Sequence, residues 1–238
     1  MLQVNSDPLR RYARMVKRAG RLLTGRDVLY RYDIHPKKTR MGTVYGGWTI
    51  IPELLDRNGV MYSFGVGNDI SFDLAAIQRF GMEVHGFDPS PESARWIARQ
   101  ELPGSYTFHS YGLGTTDGTI RFFAPRAHSS MYSQQPGHVN ASNAEIMLPV
   151  LTLSSIVKSL GAVRIDVLKM DIEGAEYDLL DSVVGCLVPV RQLLIEFHHR
   201  IGVRPLSATV KSVDFLRSHG FQLFHVSETS SEFSFLHE

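Results

Sequence analysis

The segment that decides the fold is Val60-Met-Tyr-Ser-Phe-Gly-Val-Gly67, a short apolar run that ends in two closely spaced glycines. An apolar run of this length followed by glycine predicts a buried β-strand that turns into a loop. Beyond the loop, apolar residues recur at helical spacing between Asp69 and Gly81, which predicts a helix that Asp69 caps and Gly81 ends. Two further strands and a second helix are predicted before residue 110. Alternating strands and helices of this kind predict a parallel sheet covered by helices.

The second half of the chain resumes the alternation after a long interruption. Strands are predicted over residues 164–170 and 192–197, and a helix follows each of them. Two apolar segments, residues 221–226 and 233–236, are joined by a polar turn and predict a closing antiparallel hairpin. The interruption, roughly residues 124–148, is polar and predicts a long functional loop. Its polar residues include Arg126, His128, Ser129, Ser130, Tyr132, His138 and Asn140. We therefore predict an α/β protein with a mostly parallel sheet.

Composition limits the partners and the compartment. Among 238 residues, Lys and Arg number 25 and Asp and Glu number 24, so the net charge of +1 gives no global attraction to nucleic acid or anionic lipid. A single cysteine, Cys186, excludes an intramolecular disulfide and fits a reducing compartment. The sequence has no apolar run that approaches membrane-spanning length. We expect a soluble cytoplasmic protein without a nucleic-acid or membrane partner, and the composition is compatible with a homo-oligomer.

Residues 7–23 predict an amphipathic helix in front of the main domain. Asp7 can cap this helix, and Pro8 suits its first turn. One face carries Leu9, Tyr12, Ala13, Val16 and Leu23, and the other carries Arg10, Arg11, Arg14, Lys17, Arg18 and Arg21. The helix can serve as a basic lid or docking surface for an anionic acceptor, or it can pack on the main domain and leave a solvated basic face. We place a helical extension or lid at residues 1–44 and the main domain at residues 45–238.

The glycine loop and two later segments have the features of a nucleoside-binding site. Gly65 and Gly67 allow the backbone to approach a ligand closely, and the helix that follows offers unpaired N–H groups. Asp88 falls at the end of the second strand, where its carboxylate can accept hydrogen bonds from an adenosine ribose, or can cap the next helix. Tyr111-Gly-Leu-Gly114 follows the third strand and is placed to flank the adenine. Ile70 stands where a dinucleotide fingerprint has its third glycine, which disfavours a nicotinamide or flavin enzyme.

Acidic and histidine side chains gather at the ends of the two later strands. Asp171 falls at the carboxyl end of one strand, and Glu196 and His198 share a face at the end of the next. If these strands are neighbours, the three side chains meet in one cleft. Asp171 or His198 can then take a proton from a hydroxyl, or all three can hold Mg²⁺, which lowers the hydroxyl pKa. The alternative is an ordinary surface pair of histidine and carboxylate. Glu173 and Glu176 are expected to be acids favoured by a helix start.

Four segments together resemble the FkbM-type S-adenosylmethionine-dependent methyltransferases. They are Tyr62–Asp73, His85–Ser90, Lys169–Glu176 and Leu193–His198. The resemblance extends over about residues 45–226 and implies a Rossmann-like, seven-stranded, mostly parallel sheet with helices on both faces and a C-terminal hairpin. It also implies that residues 45–238 form a methyltransferase domain that methylates a hydroxyl group.

The resemblance assigns roles to individual residues of this chain. The residues expected to bind S-adenosylmethionine are Gly65, Gly67, Asp69, Asp88, Ser90, Leu113 and Asp171. Catalysis is expected to rest on Asp171 and His198, acting as bases or together with Glu196 as ligands of Mg²⁺. The upstream segment Tyr45-Gly-Gly-Trp-Thr49 can close over the methionine end of the cofactor, or can be a turn with a buried tryptophan.

The chemical class of the methyl acceptor is inferred from a motif that the sequence lacks and from the polar residues that its predicted loop contains. Methylases of exocyclic base nitrogens use an Asn/Asp-Pro-Pro-Tyr/Phe run at the strand end that Asp171 occupies, and its absence here disfavours a nucleic-acid substrate. The polar residues of the predicted loop suit a saccharide better than a flat phenol. We therefore predict O-methylation of a small polar acceptor, a sugar or oligosaccharide. The alternatives are a lipid or polyketide alcohol as acceptor, and a non-catalytic nucleotide-binding module that docks partners through its basic helix.

Overall fold

The computed structural model describes residues 8–125, 132–133, 141–200 and 204–237. Within these ranges the chain forms one large sheet and two small ones, flanked by helices. In chain order the elements are α1 (Pro8–Leu23), β1 (Thr39–Met41), β2 (Trp48–Ile50), a 3₁₀ turn (Pro52–Leu54), β3 (Val60–Phe64), α2 (Ser71–Phe80), β4 (Glu83–Phe87), α3 (Pro91–Ile97), β5 (Tyr106–His109), β6 (Gly112–Leu113), β7 (Gly118–Pro125), β8 (Ala141–Leu151), α4 (Leu153–Leu160), β9 (Ile165–Met170), α5 (Glu176–Val184), β10 (Val190–Glu196), α6 (Leu206–Ser218), β11 (Gln222–Val226) and β12 (Glu232–Leu236).

The large sheet has the strand order β11-β12-β10-β9-β3-β4-β5. Strands β3, β4, β5, β9 and β10 run parallel, whereas β12 runs antiparallel to both of its neighbours. The predicted α/β fold, with its seven-stranded, mostly parallel sheet and closing hairpin, is confirmed. In the sheet, β4 lies on one side of β3 and β9 lies on the other side. Loops that follow β3 and β9 therefore diverge, and a parallel sheet of this kind binds ligands in the crevice between such loops.

Both faces of the sheet are buried, which explains why its central strands are nearly continuous runs of apolar residues. Tyr62 and Phe64 of β3 project to one face, where they join the core formed with α4, α5 and α6. Met61 projects to the other face and joins Phe72 of α2 and Ile97 of α3. All six residues of β9 are buried. The predicted helices on both faces are therefore present.

At the starts of helices α2 and α3, polar side chains accept hydrogen bonds from backbone N–H groups. Asp69 precedes α2 and accepts a hydrogen bond (2.8 Å) at Oδ1 from the backbone N–H of Ser71, the first residue of that helix. The N-cap of α3 is Ser90, whose side chain accepts from the backbone N–H of Ser93 at 3.2 Å. The alternative role for Asp88, that of capping this helix, is therefore wrong. Ser90 takes that role because it lies directly before the first helical residue.

The prediction of one irregular loop over residues 124–148 is wrong at both of its ends. β7 includes residues up to Pro125, β8 begins at Ala141, and the two strands pair antiparallel. Alternate residues of the pair face inward, and Phe122, Leu148 and Val150 form a small buried cluster. Polar residues and Pro149 interrupt the apolar alternation of β8, which hid the strand. Arg126, His128, Ser129, Ser130, His138 and Asn140 lie outside the described residues.

Strands β1 and β2 pair antiparallel in a separate two-stranded sheet, which contacts the main sheet where Ser234 Oγ of β12 donates to the Thr49 carbonyl of β2. The domain boundary predicted at residue 44 falls in the turn between these two strands. The division into residues 1–44 and 45–238 stays a prediction. Asp7, the expected cap of α1, lies outside the described residues.

Candidate active site

A cavity of about 730 Å³ opens at the carboxyl edge of the sheet. Its walls include the residues that follow β3, β4, β9 and β10, as expected for a ligand site in a parallel sheet. Every residue predicted for the site lines it: Gly65, Gly67, Asp69, Asp88, Ser90, Leu113, Asp171, Glu196 and His198. The structure thus brings the two predicted groups into one space, while their individual roles stay predictions.

Two glycines occupy the loop after β3, and the physical reason for glycine differs between the two positions. Both adopt left-handed backbone conformations, with φ angles of 78° at Gly65 and 56° at Gly67. A Cβ atom on Gly65 would lie 1.7 Å from the carbonyl oxygen of Asp171, so this glycine allows the ends of β3 and β9 to touch. A Cβ atom on Gly67 would meet nothing within 4 Å. Close approach to a ligand stays a prediction for both glycines, and at Gly65 the contact with Asp171 already requires a residue without a Cβ.

Asp88 organises the side of the cavity next to the glycine loop. Its Oδ2 accepts from the backbone N–H of Gly67 at 2.9 Å, and its Oδ1 accepts from the backbone N–H of Ser90 at 2.8 Å. A carboxylate oxygen can accept two hydrogen bonds, so within the described residues each oxygen keeps one accepting position. Asp88 is 8% exposed and lines the cavity. The carboxylate is therefore held rigidly in a position where ligand hydroxyls can reach it.

Two further predicted cofactor residues lie in different surroundings. Asp69 accepts from the hydroxyl of Thr43 at 2.6 Å, which ties it to the turn that contains Tyr45. Burial tends to raise the pKa of the Asp69 carboxyl, but hydrogen bonds from Ser71 and Thr43 outweigh burial and hold the pKa below its ordinary value. Leu113 is 1% exposed and forms part of an apolar wall. Asp69 is therefore an ionised group at the rim, whereas Leu113 offers only packing.

The predicted cluster of Asp171, Glu196 and His198 forms because β9 and β10 are neighbours. One potential ligand atom from each of the three side chains lies within 4.8 Å of the other two. Nε2 of His198 lies 3.6 Å from Oδ1 of Asp171 and 3.5 Å from Oε2 of Glu173. The cluster can act on a proton or hold a cation, since it combines an imidazole with carboxylates.

Glu176 fixes the orientation of the His198 ring. Its Oε1 lies 2.7 Å from Nδ1 of His198 and also accepts from the backbone N–H groups of Ile172 (3.0 Å) and Gly174 (3.3 Å). Because a carboxylate oxygen that accepts backbone hydrogen bonds has no proton to give, Nδ1 of the imidazole must carry the proton. Nε2 is then the nitrogen available toward Asp171. From the sequence, Glu176 was expected to be an acid favoured by a helix start, and its contact with His198 was not predicted.

Negative charge exceeds positive charge in the cluster. Burial and the nearby Asp171 raise the pKa of Glu196 to about 8. Burial opposes a charge on His198, but the carboxylate of Glu176 outweighs it. With further contributions from Asp171 and Glu173, the pKa of His198 lies well above its ordinary value. A proton or a bound cation therefore compensates the carboxylates here.

Lys169 supports the glycine loop from inside the sheet. Its Nζ donates to the carbonyl oxygens of Gly65 at 2.8 Å and Phe64 at 3.3 Å, and the residue is 6% exposed. Burial raises the pKa of the Asp73 carboxyl in α2 to about 6, and the charge of Lys169 opposes that rise. The sequence patterns assigned no role to Lys169. The available signal was a lysine, one of two charged residues with Asp166, in the mostly apolar strand that leads to Asp171.

A second missed feature is the turn between β11 and β12, residues 227–231, which we call the hydroxyl turn. Ser227 Oγ lies 2.8 Å from Thr229 Oγ1, which lies 2.9 Å from Ser231 Oγ. All three residues line the cavity. From the sequence this segment was only a polar turn in a hairpin, because its distance from the acidic cluster depends on how β12 pairs with β10.

Comparisons with known proteins point to one family. A family model described as the methyltransferase FkbM domain matches residues 15–223. The human protein named "Probable methyltransferase-like protein 24" is 30% identical over 175 residues, 69% of this chain and 42% of that protein. The rat protein of the same name is 29% identical over 182 residues, 72% of this chain and 44% of that protein. The chain thus spans less than half the length of these two curated relatives.

A third relative is "Hexuronic acid methyltransferase AglP" of Haloferax volcanii, 24% identical over 128 residues, 53% of this chain and 51% of that protein. Two solved structures also match. The precorrin-6y C5,15-methyltransferase of Geobacter metallireducens has a TM-score of 0.40 and 11% identity, and covers 78% of this chain and 83% of that one. Aeropyrum pernix fibrillarin with bound S-adenosyl-L-methionine has a TM-score of 0.41 and 10% identity, and covers 76% of this chain and 66% of that one.

Proposed function

The chain belongs to the FkbM-domain methyltransferase family, and from this membership we propose that it transfers a methyl group from S-adenosylmethionine to a hydroxyl of a polar acceptor. The observation that carries the proposal is the convergence of Asp171, Glu196 and His198 in one cavity with the glycine loop and Asp88. One side of the cavity suits a nucleoside. The other side suits removal of a proton.

The residues around the glycine loop fit S-adenosylmethionine, which when bound supplies an activated methyl group and its leaving group. In this proposal Asp88 accepts hydrogen bonds from the ribose hydroxyls, since each of its oxygens keeps an accepting position. Leu113 and Phe87 give the base an apolar wall. The side chains of Asp69 and Asp171 suit the amino group and the positive sulfur at the other end.

Proton removal falls to the acidic cluster, because an alcohol is a weak nucleophile near neutral pH. Glu176 holds the imidazole of His198 in one orientation and one tautomer, with Nε2 toward Asp171. Asp171 is the most exposed of the carboxylates in contact with His198, so we assign it the first contact with the acceptor hydroxyl. His198 receives the proton only in its neutral form, which becomes more populated as the pH rises toward its raised pKa.

The same three residues fit a divalent cation, so metal-assisted removal of the proton is a second mechanism for the cluster. Asp171, Glu196 and His198 each offer a ligand atom, and Glu176 holds the far nitrogen of the imidazole as carboxylates do behind many metal-bound histidines. The excess of carboxylates supports a cation of charge two. Mg²⁺ suits the oxygen ligands, and Mn²⁺ accepts the imidazole as well. A cation there lowers the pKa of an acceptor hydroxyl.

The acceptor side of the cavity supports a substrate rich in hydroxyl groups. The hydroxyl turn, with His225 and Glu232, lines the cavity. Such side chains donate and accept hydrogen bonds as a saccharide requires, whereas a lipid or polyketide alcohol would need a larger apolar wall. One relative is named as a hexuronic acid methyltransferase, which also supports a saccharide. We therefore propose a sugar or oligosaccharide hydroxyl as the methylated group.

The test is a transfer assay with methyl-labelled S-adenosylmethionine against a panel of saccharides and of polyketide and lipid alcohols. We expect label in a saccharide, and a loss of at least ~100-fold in kcat for Asp171→Asn because the proton acceptor is weakened. Glu145→Gln, on the exposed strand β8, is the matched control and should keep full activity. Tight cofactor binding without transfer to any acceptor would instead favour a non-catalytic binding module.

A chelator separates the two ways of removing the proton. If a cation is held by the cluster, stripping with a strong chelator should abolish transfer, and Mg²⁺ or Mn²⁺ should restore it. Glu196→Gln should then weaken restoration, with a higher metal concentration required for half-maximal activity. Full activity after stripping would remove the cation from the proposal and leave Asp171 and His198 as the proton-handling pair.

A further inference from the structure

Helix α1 turns its apolar side toward solvent. We define the apolar face of α1 by Tyr12, Ala13, Val16 and Leu23, which lie on one side of the helix at helical spacing. Tyr12 is 69% exposed, Val16 54% and Leu23 89%. A helix that packed on the domain through this face would hide these side chains. The expectation that α1 leaves only a solvated basic face is therefore wrong.

One basic residue of α1 is linked to the main domain through Asp27. Nε of Arg21 lies 3.3 Å from Oδ2 of the buried Asp27, and Nη2 of Arg200 lies 3.0 Å from the same oxygen. Arg200 follows His198 by two positions at the end of β10. The C-terminal end of α1 is therefore tied to the same edge of the sheet as the cavity, and its apolar face points away from these contacts.

The charge of α1 indicates what can cover this face. The helix contains no acidic residue, and the side opposite its apolar face is basic, with Arg10, Arg11, Arg14, Lys17, Arg18 and Arg21. A second copy of α1 offers an apolar face but no acidic residue to pair with this basic side. An anionic lipid surface offers both an apolar layer and negative headgroups.

We propose that the apolar face of α1 docks the protein in the plane of an anionic lipid surface. Tyr12, Val16 and Leu23 enter the boundary between headgroups and acyl chains, and the basic residues of the opposite side reach the headgroups through their long side chains. Among the described residues, no helix is both long and apolar enough to cross a bilayer, so the contact is peripheral. The near-zero net charge does not oppose this docking, because the positive charge is local to α1.

The experiment is cosedimentation of the full chain with vesicles of phosphatidylcholine, alone or with about a third of phosphatidylserine. We expect binding to the phosphatidylserine vesicles, little binding to the neutral ones, and weakening as salt is raised. Val16→Glu with Leu23→Glu should lower the partition coefficient roughly tenfold or more, because two apolar side chains no longer enter the lipid.

The matched control is Val163→Glu with Leu187→Glu, which makes the same changes at two apolar residues that are each 82% exposed outside α1. Its binding should equal that of the unmodified chain, and circular dichroism should show that both double variants are folded. Equal losses in the two double variants, or equal binding to neutral and anionic vesicles, would overturn the proposal. So would a dimer in sedimentation equilibrium that Val16→Glu dissociates, together with no vesicle binding.

Discussion

At the scale of single residues, the most informative contact is the one between Glu176 and His198. Glu176 is fully buried, and its Oε1 gathers two backbone N–H groups and the imidazole Nδ1. Oε1 of Glu176 therefore stabilises the turn before α5 and also fixes which nitrogen of the His198 ring points toward Asp171. This dual role explains why an acid at a helix start can matter to chemistry at the neighbouring strand end.

We predict that Glu176→Gln lowers kcat by roughly 10–100-fold while the dissociation constant of S-adenosylmethionine stays unchanged. The amide no longer holds the imidazole as a charged acceptor, and the pKa of His198 should fall because Glu176 is the strongest influence that raises it. Rate measurements across pH, with cofactor binding by calorimetry, check both points. The control is Glu145→Gln, whose carboxylate pairs with Arg121 at 3.1 Å on the surface. An unchanged kcat and pH profile would contradict the positioning role.

At the scale of elements, the loop after β3 is held by the strands beside it as much as by its own glycines. Gly65 rests against the Asp171 carbonyl, its N–H donates to Phe87 at 2.9 Å, and its carbonyl accepts from Lys169. Two neighbouring strand ends, those of β4 and β9, therefore fix the loop before any ligand arrives. Such preorganisation lowers the entropic cost of binding.

We predict that Gly65→Ala destabilises the protein by roughly 2–5 kcal/mol, because its Cβ would meet the Asp171 backbone and alanine disfavours a φ of 78°. Gly104→Ala is the control, since a Cβ there meets nothing within 4 Å, and it should stay within about 0.5 kcal/mol of the unmodified chain. Urea unfolding followed by circular dichroism measures both. Equal stabilities for the two variants would show that β3 and β9 do not meet as described.

At the scale of the whole molecule, the hairpin of β11 and β12 is covered by the N-terminal segment. Nζ of Lys38 donates to the Phe224 carbonyl at 2.8 Å, and Arg40 pairs with Glu232 at 2.9 Å. These contacts join the two ends of the described chain over the sheet edge. Burial, together with the charges of Lys38 and Arg40, lowers the pKa of His225 in β11 to about 4.

We predict that His225 contributes an acid-sensitive part of the stability. Its folded pKa of about 4 lies below the unfolded value of about 6.5, so the contribution is complete above about pH 6.5 and is lost as the pH falls toward 4. Between pH 7 and pH 5 the unmodified chain should lose about 1–2 kcal/mol more than His225→Gln, allowing for partial exposure. Urea unfolding at both values measures the difference. The same loss in both proteins would contradict the assignment.

The sequence by itself determined the sheet and the edge at which its site lies. Apolar runs and glycine turns fixed the order of strands and helices, because burial on both faces requires continuous apolar residues. The parallel-strand rule then placed Asp88, Asp171 and Glu196 at one edge, since carboxyl ends of parallel strands share it. The short strands β1, β2 and β6 and the pair of β7 and β8 escaped this reasoning, because they lie outside the main sheet.

The tertiary structure alone decided which atoms meet. The contact between Glu176 and His198, the support of Gly65 by Lys169 and the place of the hydroxyl turn all depend on the register between neighbouring strands. Periodicity along one strand carries no information about that register. The outward apolar face of α1 was equally hidden, because an amphipathic pattern shows that a helix has two faces and not which of them meets the domain.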